Sequence, residues 1–319
     1  MGREMDRNSI PLRKPVDGKA ALLMIGLCAI WGMQQTALKA VASDMAPVLQ
    51  ISLRSGIAAL FIAALVFARG ESHALRGGTW KPGAAIGALF ALEYLFMGEG
   101  LRFTNASHMG IFLYTAPIFT ALGLHFGVPE ERLSPLQWLG IVTAFGGVAV
   151  SFLGGAGSGP ARSTAWIGDL MGIGAGAAWG ATTLTLRFSR LSQAPSTVTT
   201  LYQLLGAFVL LGLLALATGQ TGVTVTPLLA LSMTFQIVFV SLISLLVWFG
   251  MLRVYLASRL GVLSFMTPLF GVVFGVVLLN ERLEPAFIGG ALMVIAGILL
   301  VSGHEMFRAR QAKRVASAG

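Results

Sequence analysis

Largely uncharged, apolar runs of about 20 residues, the length that carries a helix across a hydrocarbon core, follow one another along nearly the whole chain. They fall at 20–39, 47–68, 82–101, 105–127, 135–153, 166–187, 196–218, 229–251, 258–279 and 285–303. The breaks between them are short and turn-like, as in SDMAP at 43–47, GGAGSGPARS at 154–163 and GQTGVTVTP at 219–227, where Gly, Pro, Ser and Asp interrupt regular structure. No break is long enough for a folded soluble domain. The pattern predicts an all-α integral membrane protein of ten transmembrane helices.

Composition agrees with the pattern. Of 319 residues, 55% are hydrophobic and 11% charged, against roughly 25% charged in a soluble domain, and the mean hydropathy is +0.80. The net charge of +9 would suggest nucleic-acid binding in a soluble protein, but its distribution points to topology instead. With the N-terminus in the cytoplasm, 17 Lys and Arg fall in inner segments against Lys39, Arg102, Arg162 and Arg282 outside, with Arg54 inside the second span. Orientation follows the Lys/Arg bias of short loops, so both termini are expected in the cytoplasm, the basic tails lie near anionic headgroups, and no nucleic-acid partner is expected. The first apolar run is too long for the core of a cleaved signal peptide and ends in bulky and amide side chains, so it is read as a retained span. The lone Cys28 excludes a disulfide framework and a multi-cysteine metal site.

The two halves of the chain repeat. AIWG at 29–32 recurs as AAWG at 177–180, and Pro47 as Pro195, both 148 residues on. Leu101, Arg102, Ala106, Ser107, Gly110 and Pro117 recur as Leu252, Arg253, Ala257, Ser258, Gly261 and Pro268 at a spacing of 151, and ERLSP at 131–135 recurs as ERLEP at 281–285. Each half holds five spans, an odd number, so the second half crosses with the opposite polarity. Inverted repeats of this kind build secondary transporters, in which two related gates flank a midplane site. The expected organisation is a basic cytoplasmic tail (1–19), a first five-helix repeat (20–153), an external linker (154–165), a second inverted repeat (166–303) and a basic cytoplasmic tail (304–319).

Over residues 18–303 the chain resembles the drug/metabolite transporter superfamily, in its ten-helix branch with two EamA domains. The resemblance rests on the paired WG of spans 1 and 6, on LRFTNASHMGIFLYTAPIFTAL and LRVYLASRLGVLSFMTPLFGVV in mid-repeat, and on the paired ERL-P turns before Gly-rich spans 5 and 10. Within that branch it is most similar to the YddG-type amino-acid exporters. The resemblance implies helices around a central cavity in the bacterial inner membrane, no ATP and no cofactor, and export of amino acids or related metabolites.

Ionisable groups at membrane depth are costly and suggest function. Span 3 carries Glu93 near its centre and Glu99 in its outer third, about 120° apart around the helix. Glu99 has Arg102 three residues on, within reach of a local ion pair, and Arg54 at a comparable outer depth; these three, with His108 near the outer end of span 4, are the gate or ion-pair candidates. Glu93 has no basic residue at i±3 or i±4, and its repeat mate is Ser244. It either meets a substrate ammonium group or a proton in the cavity, or is a carboxyl buried in helix packing. Around it, Tyr94, Met97, Trp31, Gln34, Gln35, Tyr114, Trp179, Thr182, Tyr202, Gln203, Ser244 and Trp248 are the remaining cavity candidates. The two Trp residues of the WG pairs also read as packing wedges. Pro117 and Pro268, mid-span and repeat-related, each remove a backbone donor and are expected hinges. Small-residue stripes such as Gly172, Gly176 and Gly180 put Gly on one helix face, where backbones approach closely.

The leading reading is a carrier working by alternating access on small molecules, with protons as a candidate second ligand and a monomer as the working unit. A cation or drug carrier, or a nucleotide-sugar carrier, of the same superfamily is the alternative; cation specialists should place carboxylates in repeat-related pairs, and here the midplane carboxylate is single. A membrane-embedded enzyme would need a catalytic motif, and the chain has no His-Glu-x-x-His, Gly-x-Ser-x-Gly or Gly-x-Gly-Asp.

Overall fold

The computed structural model describes residues 17–76, 78–127, 133–153, 164–244 and 266–316, with isolated positions between 247 and 264. The N-terminal tail to residue 16, most of the 154–165 linker, Glu131 and Arg132 of the ERLSP turn, and Leu252, Arg253, Ala257, Ser258, Arg259 and Gly261 of the second-half motif lie outside the described residues.

Helices account for nearly all of it. The first repeat contains α1 (Gly18–Ala40), α2 (Pro47–Ala68), the single turn α3 (His73–Arg76), α4 (Trp80–Gly100), α5 (Ala106–Leu113), α6 (Ala116–Gly127) and α7 (Pro135–Leu153). The second contains α8 (Ala165–Arg187), α9 (Ser196–Ala217), α10 (Pro227–Thr234), α11 (Met266–Leu279) and α12 (Pro285–Ala316). The starts follow ordinary capping chemistry. The Asp17 carboxylate accepts from the Ala20 amide at the head of α1, the Thr226 hydroxyl accepts from Leu229 at the head of α10, and Pro47, Pro135, Pro227 and Pro285 open their helices where a missing N–H costs nothing. Gly18–Ala40, Pro47–Ala68, Ala106–Gly127 and Ser196–Ala217 are each long and apolar enough to cross a membrane. Large apolar side chains such as Leu60, Phe61, Leu213, Leu216 and Leu292 point outward and stay exposed, as a lipid-facing surface requires.

Three departures from the sequence reading stand out. Span 4 is two helices, because Pro117 leaves the Leu113 carbonyl without its i+4 donor; the Thr115 amide and hydroxyl turn instead to the Phe112 carbonyl. Span 8 leaves α-geometry after Thr234 and continues as a π-helix over Phe235–Ile243, with the Ser244 amide bonded to the Phe239 carbonyl. Finally, α12 runs to Ala316, beyond the expected end of the span at 303, since 304–316 holds neither Pro nor Gly to stop it.

Packing joins the halves pairwise. The helices α7 and α12 form the most extensive contact, the repeat-related pair α2–α9 also packs together, and α5 packs on α11. The contact of α1 with α11 is mirrored by that of α8 with α5 and α6. Where α4 crosses α9, a Cβ on Gly206 would stand 2.4 Å from the Gly87 backbone, so this crossing needs glycine.

Candidate functional site

Between the halves lies a cavity of about 610 Å³, within the range of pockets that take a small molecule. Its walls come from α1, α2, α4, α5, α8, α9 and the π-segment. It runs from mid-membrane to the 187–196 connection, where Leu186, Leu191, Ser192, Ala194 and Ser196 line it. Residues of the 40–46, 101–105 and 218–226 connections take no part in the lining.

Arg54 and Glu93 supply the charge of this wall. Arg54, 3% exposed, projects from α2, and Glu93, 7% exposed, from α4. Among the described residues, Arg54 Nη1 and Glu93 Oε2 have no hydrogen-bond partner. The Arg54 guanidinium lies over the Tyr94 ring, 4.8 Å from its centroid, a favourable cation–π placement in a desolvated site. Aromatic pairs complete the walls: Trp31 meets Trp248 edge-on at 5.6 Å, Tyr114 meets Trp179 at 5.3 Å, and Phe90 meets Tyr94 at 4.7 Å. Trp31 is oriented by donating its indole N–H to the Ser244 hydroxyl at 3.1 Å. Small polar groups fill the gaps, among them Gln34, Gln35, Thr182, Gln203 and Ser244.

Two cavity candidates stand apart from this wall. Met97 is 1% exposed and its sulfur accepts from the Gln34 amide at 3.7 Å, so it backs Gln34. Tyr202 lies against Gly83 with its hydroxyl 3.2 Å from the Thr79 hydroxyl. The expected grouping of Arg54 with Glu99 is also corrected. Glu99 pairs with Arg102 at 2.7 Å, while Arg54 faces the cavity beside Tyr94; the two share a depth but their helices turn them to different sides. Ser55, Thr199, Thr200 and Ser241 line the cavity and were not singled out in the sequence. Each is a hydroxyl in an apolar run, a signal too common to select on.

At the end of the bundle opposite the cavity mouth, polar contacts tie the two halves together. Glu281, from the turn after α11, accepts from the Ala106 amide (2.7 Å), the Ser107 amide (3.0 Å) and the Ser107 hydroxyl (2.6 Å) at the head of α5. Lys39 at the end of α1 stands 3.6 Å from the same carboxylate and donates to the Thr104 carbonyl at 2.6 Å. Next to this latch, His108 Nδ1 is 3.1 Å from both oxygens of Asp169, its ring stacks on Phe287 at 3.8 Å, and the Thr104 hydroxyl donates to Asp169. Asp169 escaped the sequence reading although it is an acid just inside a span. Asp44 closes the remaining side, accepting from the Thr226 hydroxyl at 2.6 Å and, through its carbonyl, from the Thr224 amide at 2.8 Å. No group of three or more potential metal ligands is found among the described residues.

The EamA-like transporter family model matches residues 18–153 and again residues 166–303. The chain belongs to that family. It is therefore a multi-pass transporter of the drug/metabolite transporter superfamily, not an enzyme, and its two halves are two EamA repeats. This EamA-like transporter is 24% identical to the uncharacterized transporter YoaV of Bacillus subtilis over 286 residues, covering 88% of this chain and 96% of that one. It is 25% identical to the uncharacterized transporter YvbV of the same organism, covering 89% and 92%, and 24% identical to the uncharacterized transporter sll0355 of Synechocystis, covering 91% and 92%. A solved crystal structure superposes with a TM-score of 0.61 at 22% identity, covering 89% of this chain and 96% of the other, which speaks for the fold.

Proposed function

We propose that this EamA-like transporter exports amino acids or related small metabolites across the bacterial inner membrane by alternating access, without ATP. The observation that carries the reading is the midplane cavity walled by both repeats, with Arg54 and Glu93 buried in it and short of partners. Burying such groups is expensive unless a ligand pairs with them in the working cycle. The Lys/Arg bias supports both termini in the cytoplasm, which puts the 187–196 mouth inside and the Glu281 latch outside. On that topology the conformation is inward-facing, ready to load from the cytoplasm. The bundle encloses its cavity within one chain, which supports a working monomer.

The test is flux into proteoliposomes holding the purified protein, with labelled amino acids. Saturable, protein-dependent flux that is lost in Glu93→Gln and in Tyr94→Ala is expected. Full flux in both variants would remove the site. Resistance of a bacterium expressing the protein to toxic amino-acid analogues would establish the direction as export.

A further inference from the structure

We infer that Arg54 and Glu93 are the two poles of a zwitterion site: Arg54 takes the substrate carboxylate, Glu93 takes its ammonium group, and the aromatic wall takes an uncharged side chain. The inference rests on the amino-acid reading above and narrows it. Three observations lead to it. First, among the described residues the cavity's charged lining is one guanidinium and one carboxyl, so the described wall is neutral. A substrate bearing a lone positive or negative charge would satisfy one pole and leave the other buried and unmatched, which is the costly arrangement in a low-dielectric site. A molecule carrying both charges matches both.

Second, the two poles are kept from satisfying each other. No ion pair within 4.0 Å joins Arg54 to Glu93 among the described residues, and each keeps a buried polar atom without a partner. The guanidinium lies over the Tyr94 ring, and its Nη1 has no hydrogen-bond partner among the described residues, so that this N–H group stays available for a carboxylate. Third, among the described residues the rest of the wall offers no third charge. Trp31, Trp248, Tyr114 and Trp179 with scattered hydroxyls and amides suit an apolar or neutral polar side chain, whereas a charged one would enter without a counter-ion.

The experiment is competition against labelled L-leucine uptake in proteoliposomes, using three molecules of nearly one shape: leucine, 3-methylbutylamine, which lacks the carboxylate, and 4-methylpentanoate, which lacks the ammonium group. L-lysine and L-glutamate add a third charge. In the wild type, leucine is expected to compete at least about 100-fold better than the amine, the acid, lysine or glutamate, the scale set by one unmatched buried charge. Arg54→Gln should lose leucine uptake, and ligand-induced thermal stabilisation of the purified variants, which needs no uptake, should show the order reversed there so that the amine binds better than leucine. Glu93→Gln should reverse it toward the acid, and Arg54→Lys should keep the wild-type order with weaker binding. A reversal of preference is not something a misfolded variant produces, and the wild-type ranking needs no variant at all. A wild type that takes up leucine but admits the amine or the acid equally well overturns the two-pole assignment alone, as does an Arg54→Gln protein with unchanged preference. A wild type that transports no amino acid overturns the transport reading and this assignment with it.

Discussion

The Arg54 guanidinium lies over the Tyr94 ring in the cavity wall, 4.8 Å from its centroid, a placement that puts the cation on the electron-rich face of the ring. A desolvated cation–π contact contributes about 2 kcal/mol, or roughly 30-fold in an equilibrium. Tyr94→Phe, which keeps the ring, is therefore expected to hold the KM for transported substrate within about threefold, while Tyr94→Ala raises it by about tenfold or more; concentration-dependent uptake measures both. Equal losses in the two variants would assign the hydroxyl, not the ring, to the site. At this scale the sequence is informative about chemistry and poor about direction. Glu93 is conspicuous as a midplane acid without a local basic partner, and Glu99 with Arg102 follows from their spacing. Arg54 is misassigned because position along a span gives depth but not azimuth: only the way α2 packs on α9 and α4 turns that side chain to the cavity instead of toward Glu99.

Element by element, the spans are legible because crossing lipid demands a length and an apolarity that few other structures share. The break between α5 and α6 follows from one residue, Pro117. The π-segment at Phe235–Ile243 has no such marker, since its apolar run carries neither Pro nor Gly. It brings Val240 and Ser241 into the cavity wall, consistent with the frequent placement of π-turns at functional sites. The break at Pro117 sits beside Tyr114, itself part of the wall, so bending there would move the wall. Hence Pro117→Ala, which restores a donor to the Leu113 carbonyl, is expected to leave the protein folded and its KM near the wild-type value but to lower turnover several-fold. The repeat-related Pro268, at the start of α11, should behave alike. Unchanged transport rates in both alanine variants would end the hinge proposal.

Across the whole molecule the two repeats share a fold but not a setting. Among the described residues, α4 lies along both α8 and α9, whereas its counterpart, α10 with the π-segment, makes slighter contact with α1 and α2. Under the proposed alternating access the repeats exchange two such settings, and the contacts of Glu281 are expected to hold the present one. Its carboxylate accepts three hydrogen bonds from the head of α5, and Gly275 makes room for it, since a Cβ there would stand 2.4 Å from both Glu281 Oε2 and Ser107 Oγ. Glu281→Gln turns one acceptor into a donor facing donors, at a cost of about 2 kcal/mol to the closed end. On the proposed topology this shifts the population toward the outward-open form by roughly 30-fold. A cysteine placed at Thr183, which is exposed and lines the cavity, reports it, because the native Cys28 is buried. An impermeant thiol reagent added outside intact cells should label Thr183→Cys much faster in the Glu281→Gln background, and Gly275→Ala should act in the same direction by displacing the carboxylate. Labelling rates that do not change in either background would mean that the closed end is held by the Asp44 and Asp169 contacts instead.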